Sequence, residues 1–160
     1  MAFGSSSAMF QAFVQSLLED NATGYNGLET DPLKVALFND SVTPDKDAAV
    51  ASTGFNTGTW VTGNQVTDAT NWVSGGRTLS GAAVTDQGSG VTMFDATDLA
   101  GGGAVTLTNA FGCLVYNDDI TAGTVADQGI TYHSFGGGQS VTAGTFTIVW
   151  HANGLFRITV

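Results

Sequence analysis

Basic residues are scarce in this 160-residue chain: Lys34, Lys46, Arg77 and Arg157 stand against 14 aspartates and glutamates, a formal charge of −10. Four scattered cations cannot form the basic stripe that phosphate recognition requires, so nucleic-acid binding is not expected. Anionic membranes are disfavoured for the same reason. Cysteine is nearly absent too, and a single Cys113 excludes an intrachain disulfide framework. Its neighbours in Phe111-Gly112-Cys113-Leu114-Val115-Tyr116 are apolar, which reads as a small buried hydrophobe rather than an activated thiol. No apolar run approaches the ~20 residues of a membrane-spanning helix. No Lys or Arg precedes the first apolar stretch, so the opening residues do not read as a signal peptide, and synthesis in a cytosol is expected.

Recognisable reaction chemistry is equally thin. His133 and His151 have no His or Cys partner at metal-ligand spacing. Gly138-Gln139-Ser140-Val141-Thr142 lacks the closing glycine of a nucleophile elbow. Gly136-x-Gly138-x-x-Val141 breaks the dinucleotide fingerprint at its third glycine. The acid pairs Asp45/Asp47, Asp95/Asp98 and Asp118/Asp119 form neither a calcium loop nor a placed glycosidase pair, and they read as solvated turn acids. No catalytic, cofactor-binding or metal-binding residue is therefore assigned, and the chain is expected to be non-enzymatic.

What the sequence does contain is glycine (22 residues), threonine, serine and short alternating runs. That composition predicts a mainly β protein, an antiparallel sandwich of jelly-roll or Ig-like type. Asp31-Pro32 opens a first strand over Leu33–Phe38, and a short strand is expected near 64–66. After Arg77 candidate strands recur at 77–85, 91–95, 104–108, 111–116, 130–135, 146–150 and 155–160. Glycine and aspartate clusters, including Gly136-Gly137-Gly138, are read as the turns between them. Asn153-Gly154 between the last two alternating runs predicts a tight closing hairpin, with Phe146, Ile148 and Trp150 on one face of its first strand and Phe156, Ile158 and Val160 on one face of its second.

Two regions depart from this rhythm. Phe10, Phe13, Val14, Leu17 and Leu18 have amphipathic helical spacing, predicting a short helix or arm over 1–24 ahead of a β-domain over 25–160. Such an arm could pack on its own domain or dock on another subunit. Residues 48–76 form a long irregular excursion containing Phe55, Trp60 and Trp72. These rings suit a sugar-stacking platform, a minor core or a subunit contact. The residues expected at a partner surface are Phe3, Met9, Phe10 and Phe13 in the arm and Trp60 and Trp72 in the excursion.

Leu33-Lys34-Val35-Ala36-Leu37-Phe38-Asn39-Asp40-Ser41-Val42-Thr43-Pro44-Asp45 resembles the opening strand and loop of a family of small tailed-phage virion structural proteins. The likeness continues in Gly75-Gly76-Arg77-Thr78-Leu79, Phe94-Asp95-Ala96-Thr97-Asp98 and Cys113-Leu114-Val115-Tyr116-Asn117-Asp118. It resumes at Ser134-Phe135-Gly136, runs from Gln139 through Trp150, and ends in Gly154-Leu155-Phe156, so that it spans roughly 33–158. The resemblance implies a head decoration (cement) protein on the capsid exterior, made in the bacterial host cytoplasm. Its implied partners are the major capsid protein and further copies of itself, a homotrimer being the first expectation, with no cofactor. A tail or head-fibre component and a carbohydrate-binding module are the alternatives.

Overall fold

The structure is a computed structural model, and it describes residues 7–10, 27–120 and 125–159. Within them lie eleven strands: β1 (Ala8–Met9), β2 (Leu33–Phe38), β3 (Gln65–Val66), β4 (Arg77–Thr78), β5 (Ala83–Asp86), β6 (Val91–Asp95), β7 (Leu99–Ala100), β8 (Val105–Asn117), β9 (Gly129–Gly144), β10 (Thr147–Ile148) and β11 (Phe156–Thr159). Every pairing is antiparallel. The mainly β, antiparallel class therefore follows the composition. The strands divide among three sheets: a six-stranded one in the order β1-β9-β8-β2-β3 with β4 also on β2, a three-stranded β11-β6-β5 and a two-stranded β10-β7.

β2 is apolar along nearly its whole length, the pattern of a strand covered on both faces. Leu33, Val35, Ala36, Leu37 and Phe38 are buried accordingly. One edge of β2 pairs with β8 from Leu33↔Asn117 to Phe38↔Gly112. Its other edge is shared by β4, at Lys34 and Val35, and by β3, at Leu37 and Phe38. Gly76 passes so close to the Val35 carbonyl that a Cβ there would overlap it, and its φ of +80° also demands glycine.

Several sequence expectations need correction. The separate runs 104–108 and 111–116 are one strand, β8, in which Asn109 adopts a positive φ of 55° instead of making a turn. Gly136-Gly137-Gly138 is not a turn either, because β9 continues through it. Between the Gly112↔Ser134 and Ala110↔Gln139 pairs, β8 advances two residues and β9 five. The glycines accommodate that large bulge, Gly136 at φ 74°. The run 77–85 splits into β4 and β5 around Gly81, which is also at positive φ. The predicted helix of the 1–24 arm falls mostly outside the described residues; of the described residues 7–10, Ala8 and Met9 form a strand on β9.

The closing hairpin is the largest correction. β10 pairs with β7, β11 pairs with β6, and the two do not pair with each other. Trp150 N donates to Asp98 Oδ1 at 2.9 Å and Trp150 Nε1 to the Thr97 carbonyl at 3.1 Å, holding the first run against the 97–100 segment. Gly154 N then donates to the His151 carbonyl at 2.7 Å and Leu155 N to the Phe94 carbonyl at 2.9 Å, which sends the chain on to β6. Only Gly154 has positive φ in this turn, whereas a type I′ hairpin requires it at both central residues. The inward alternation of the first run is present, with Ile148 and Trp150 buried and Val149 71% exposed. That of the second run is weaker, since Ile158 is 40% exposed.

Gly154 and Gly88 share a positive φ but not their surroundings. A Cβ on Gly154 would overlap the Phe94 carbonyl, whereas one on Gly88 meets no atom within 4 Å. Gly154→Ala is expected to cost roughly 2 kcal/mol or more and Gly88→Ala about 1 kcal/mol, read from urea unfolding midpoints. Equal losses would contradict the close approach of the turn to β6.

Candidate functional site

The residues expected at a partner surface are distributed unevenly. Phe3 and Phe13 lie outside the described residues. Phe10, Trp60 and Trp72 are fully buried within the chain itself. Phe10 packs edge-on against Trp60 at 6.0 Å and against Tyr132 at 5.4 Å, and Phe38 packs on Trp60 at 5.2 Å. Trp72 meets Phe146 edge-on at 5.6 Å and has the Arg77 guanidinium over its ring. As placed, these three are core residues, and a partner could reach them only if the core opened. Met9, half-buried, is the only described one that borders open space.

The excursion 48–76 is thus a packed layer whose tryptophans replace regular strands as its anchors. Asp68 ties it to β8: Oδ1 accepts from the N–H groups of Thr70 and Asn71, and Oδ2 from Thr106 N, each at 3.0 Å. The Asn71 N–H leads in holding the Asp68 carboxyl below its ordinary pKa, with Thr106 and Thr70 adding to it. Other acids also have structural partners, in turns or across the fold. Asp45 Oδ1 accepts from Asp47 N, Asp98 from Trp150 N, and Asp118 pairs with Lys34 at 2.7 Å. Among the described residues no group of three or more His, Cys, Asp or Glu side chains is arranged to hold a metal ion. Burial pushes the Cys113 thiol up to about 12, leaving it un-ionised at neutral pH.

Among the described residues, an open cleft of about 890 Å³ lies between β1 and β9 on one side and the closing segment 146–157 on the other. That size falls within the range of small-ligand sites. On β9, alternation directs Thr131 and His133 to the same side of the sheet. Thr131 Oγ1 donates to the Ala8 carbonyl at 2.8 Å and lies 3.4 Å from His133 Nε2. Burial lowers the His133 pKa to about 4, and Trp150 lies edge-on to the ring at 5.3 Å. Half-buried Phe135 and Phe146 form an aromatic wall, their rings 6.1 Å apart.

Arg157 lies at the rim. Its Nε donates to the Asn153 carbonyl at 3.2 Å, and Nη2 approaches the Ala152 carbonyl at 3.4 Å and Met93 Sδ at 3.5 Å. No carboxylate pairs with it among the described residues. Sequence reading missed this grouping because β10 and β11, which carry one wall, are placed by pairing with β7 and β6 and not with each other. The one local hint was that both histidines and Arg157 flank or belong to alternating runs.

Trp60→Ala is expected to remove about 3–5 kcal/mol of folding stability, as measured by urea unfolding, because it empties a closed core. A loss below about 1 kcal/mol would instead fit an exposed docking ring. His133 generates a pH dependence. Its folded pKa lies below the usual ~6.5, so the unfolded chain takes up the proton first, and stability falls as pH drops from about 6.5 towards 4. The loss is on the order of 2–3 kcal/mol, and His133→Gln should flatten that part of the wild-type stability profile. Comparison with known proteins finds no matching family model, no matching curated protein and no matching solved structure.

Proposed function

We propose that the chain is a non-enzymatic virion structural protein, a decoration protein bound on the exterior of a tailed-phage head to the major capsid protein lattice. The observation that supports this most is how the segments carrying the phage-protein resemblance meet. Residues 33–37 pair with 113–117, and Phe94 pairs with Phe156. Gly76 supplies the close approach to Val35. Asp98 and Thr97, from the 94–98 segment, hold Trp150 at the end of the longest matching run. The matching residues thus belong to one connected frame and are not isolated turns. In this reading the frame is a β-sandwich, assembled as a homotrimer.

Decoration also fits the charge. A surplus of ten negative charges favours solubility at high copy number and docking on a more basic surface. Each copy would bury ~1,000 Å² or more across neighbouring subunits, so that many modest contacts sum to a stabilised shell. The tail or head-fibre reading remains the alternative. The carbohydrate-module reading loses its Trp60 and Trp72 platform, since both rings are buried.

The test uses heads of the encoding phage assembled without this protein. Added protein is expected to co-sediment with them to saturation at on the order of hundreds of copies per particle and to raise their heat resistance. Absence of binding, or saturation at a few copies confined to one vertex, would overturn the decoration reading.

A further inference from the structure

We propose that the cleft between β9 and the closing segment binds an acidic sugar of the uronate class, with Arg157 holding its carboxylate and Phe135 and Phe146 packing against its C–H face. This does not depend on the virion reading, because it rests on the cleft alone.

Arg157 carries a permanent positive charge, and a guanidinium N–H donates strongly to a carboxylate. The Asn153 and Ala152 carbonyls already restrain this one, so little side-chain freedom remains to be lost on binding. Nη1 has no intrachain partner among the described residues and is left for a ligand. The described residues lining the cleft include no carboxylate, in a chain that carries 14. Arg157 is the one Lys or Arg among the described residues lining the cleft, and a ligand carboxylate is the group it can pair with.

The rest of the lining argues for a sugar carboxylate over a simple anion. The half-buried rings of Phe135 and Phe146 offer apolar surface that acetate or phosphate would leave unused. The His133 imidazole also lines the cleft, with ring nitrogens that can hydrogen-bond a ligand hydroxyl. Ser7 Oγ accepts from Ser134 N at 2.9 Å and keeps its own proton to donate. Gln139 adds an amide with both donor and acceptor capacity. Alternating hydroxyls, one carboxylate and an apolar ring face are what these groups together recognise.

A ¹⁵N-resolved NMR titration of the whole protein with D-glucuronate, D-glucose and acetate tests the assignment. Glucuronate is expected to shift amides in 131–135 and 146–157 with a Kd on the order of 1 mM, and glucose to bind at least about tenfold more weakly. Arg157→Gln should abolish the difference between the two sugars while leaving the melting temperature near that of the wild type. Arg157→Lys should restore part of it. Raising salt on the wild-type protein provides a readout independent of any variant, because it should weaken glucuronate and leave glucose unchanged. Equal binding of glucose and glucuronate, acetate binding as well as glucuronate, or an Arg157→Gln protein with unaltered glucuronate affinity would each overturn the proposal. So would a failure of glucuronate to shift these amides while a short poly-glutamate peptide does.

Discussion

The structure depends on satisfying the backbone of β2. Both faces of this strand are covered by apolar side chains, so its N–H and C=O groups cannot turn to water and must find partners in the sheet. β8 supplies them along one edge, while β4 and β3 divide the other. That requirement fixes the register of β8, and through β8 that of β9 and of the short β1 beyond it. The close passage of Gly76 past Val35 is a consequence: β4 must reach the same edge as β3, and no side chain fits at the crossing.

Around that sheet the protein uses aromatic anchors where regular strands are lacking. Residues 48–76 hold few ladder hydrogen bonds, yet Trp60 and Trp72 fix the segment by filling the core from either end. Polar side chains secure the remaining backbone. Asp68 takes three N–H groups and Asn71 Nδ2 donates to the Ala104 carbonyl, which attaches the excursion to the start of β8. The buried Asp31 and Asn117 pair at 2.6 Å at the other end of that strand, beside the half-buried Lys34–Asp118 ion pair. The polar pair matters more than the ion pair, because an unpaired buried carboxylate is costly, whereas Lys34 and Asp118 keep about a third of their side-chain surface in water.

The cleft follows from the same geometry. Bulged β9 carries Phe135 past the end of its tight pairing with β8, and the closing segment is held at a distance by β7 and β6 instead of folding back on itself. Had Asn153-Gly154 formed the expected two-residue hairpin, β10 and β11 would lie side by side and Arg157 would have no turn carbonyls to rest on. The proposed ligand site and the failed hairpin are two results of one competition. Trp150 donates hydrogen bonds to Asp98 and Thr97. Leu155 donates one to Phe94. A bare hairpin would have offered neither.

The sequence by itself determined the properties that depend on near neighbours. Short apolar or alternating runs bounded by turn residues placed the strands at Leu33–Phe38 and Val91–Asp95, and composition specified the antiparallel β class. Scarce cations and a lone buried cysteine were equally plain from the sequence. Only the tertiary structure decided which strand pairs with which, that three glycines at 136–138 bridge a bulge in place of a turn, and that Trp60 and Trp72 face inward. The physical reason is range. Alternation and turn propensity act over a few residues and amount to about 1 kcal/mol each, whereas burial of a tryptophan or pairing of a buried strand is worth several times more and depends on residues tens of positions away.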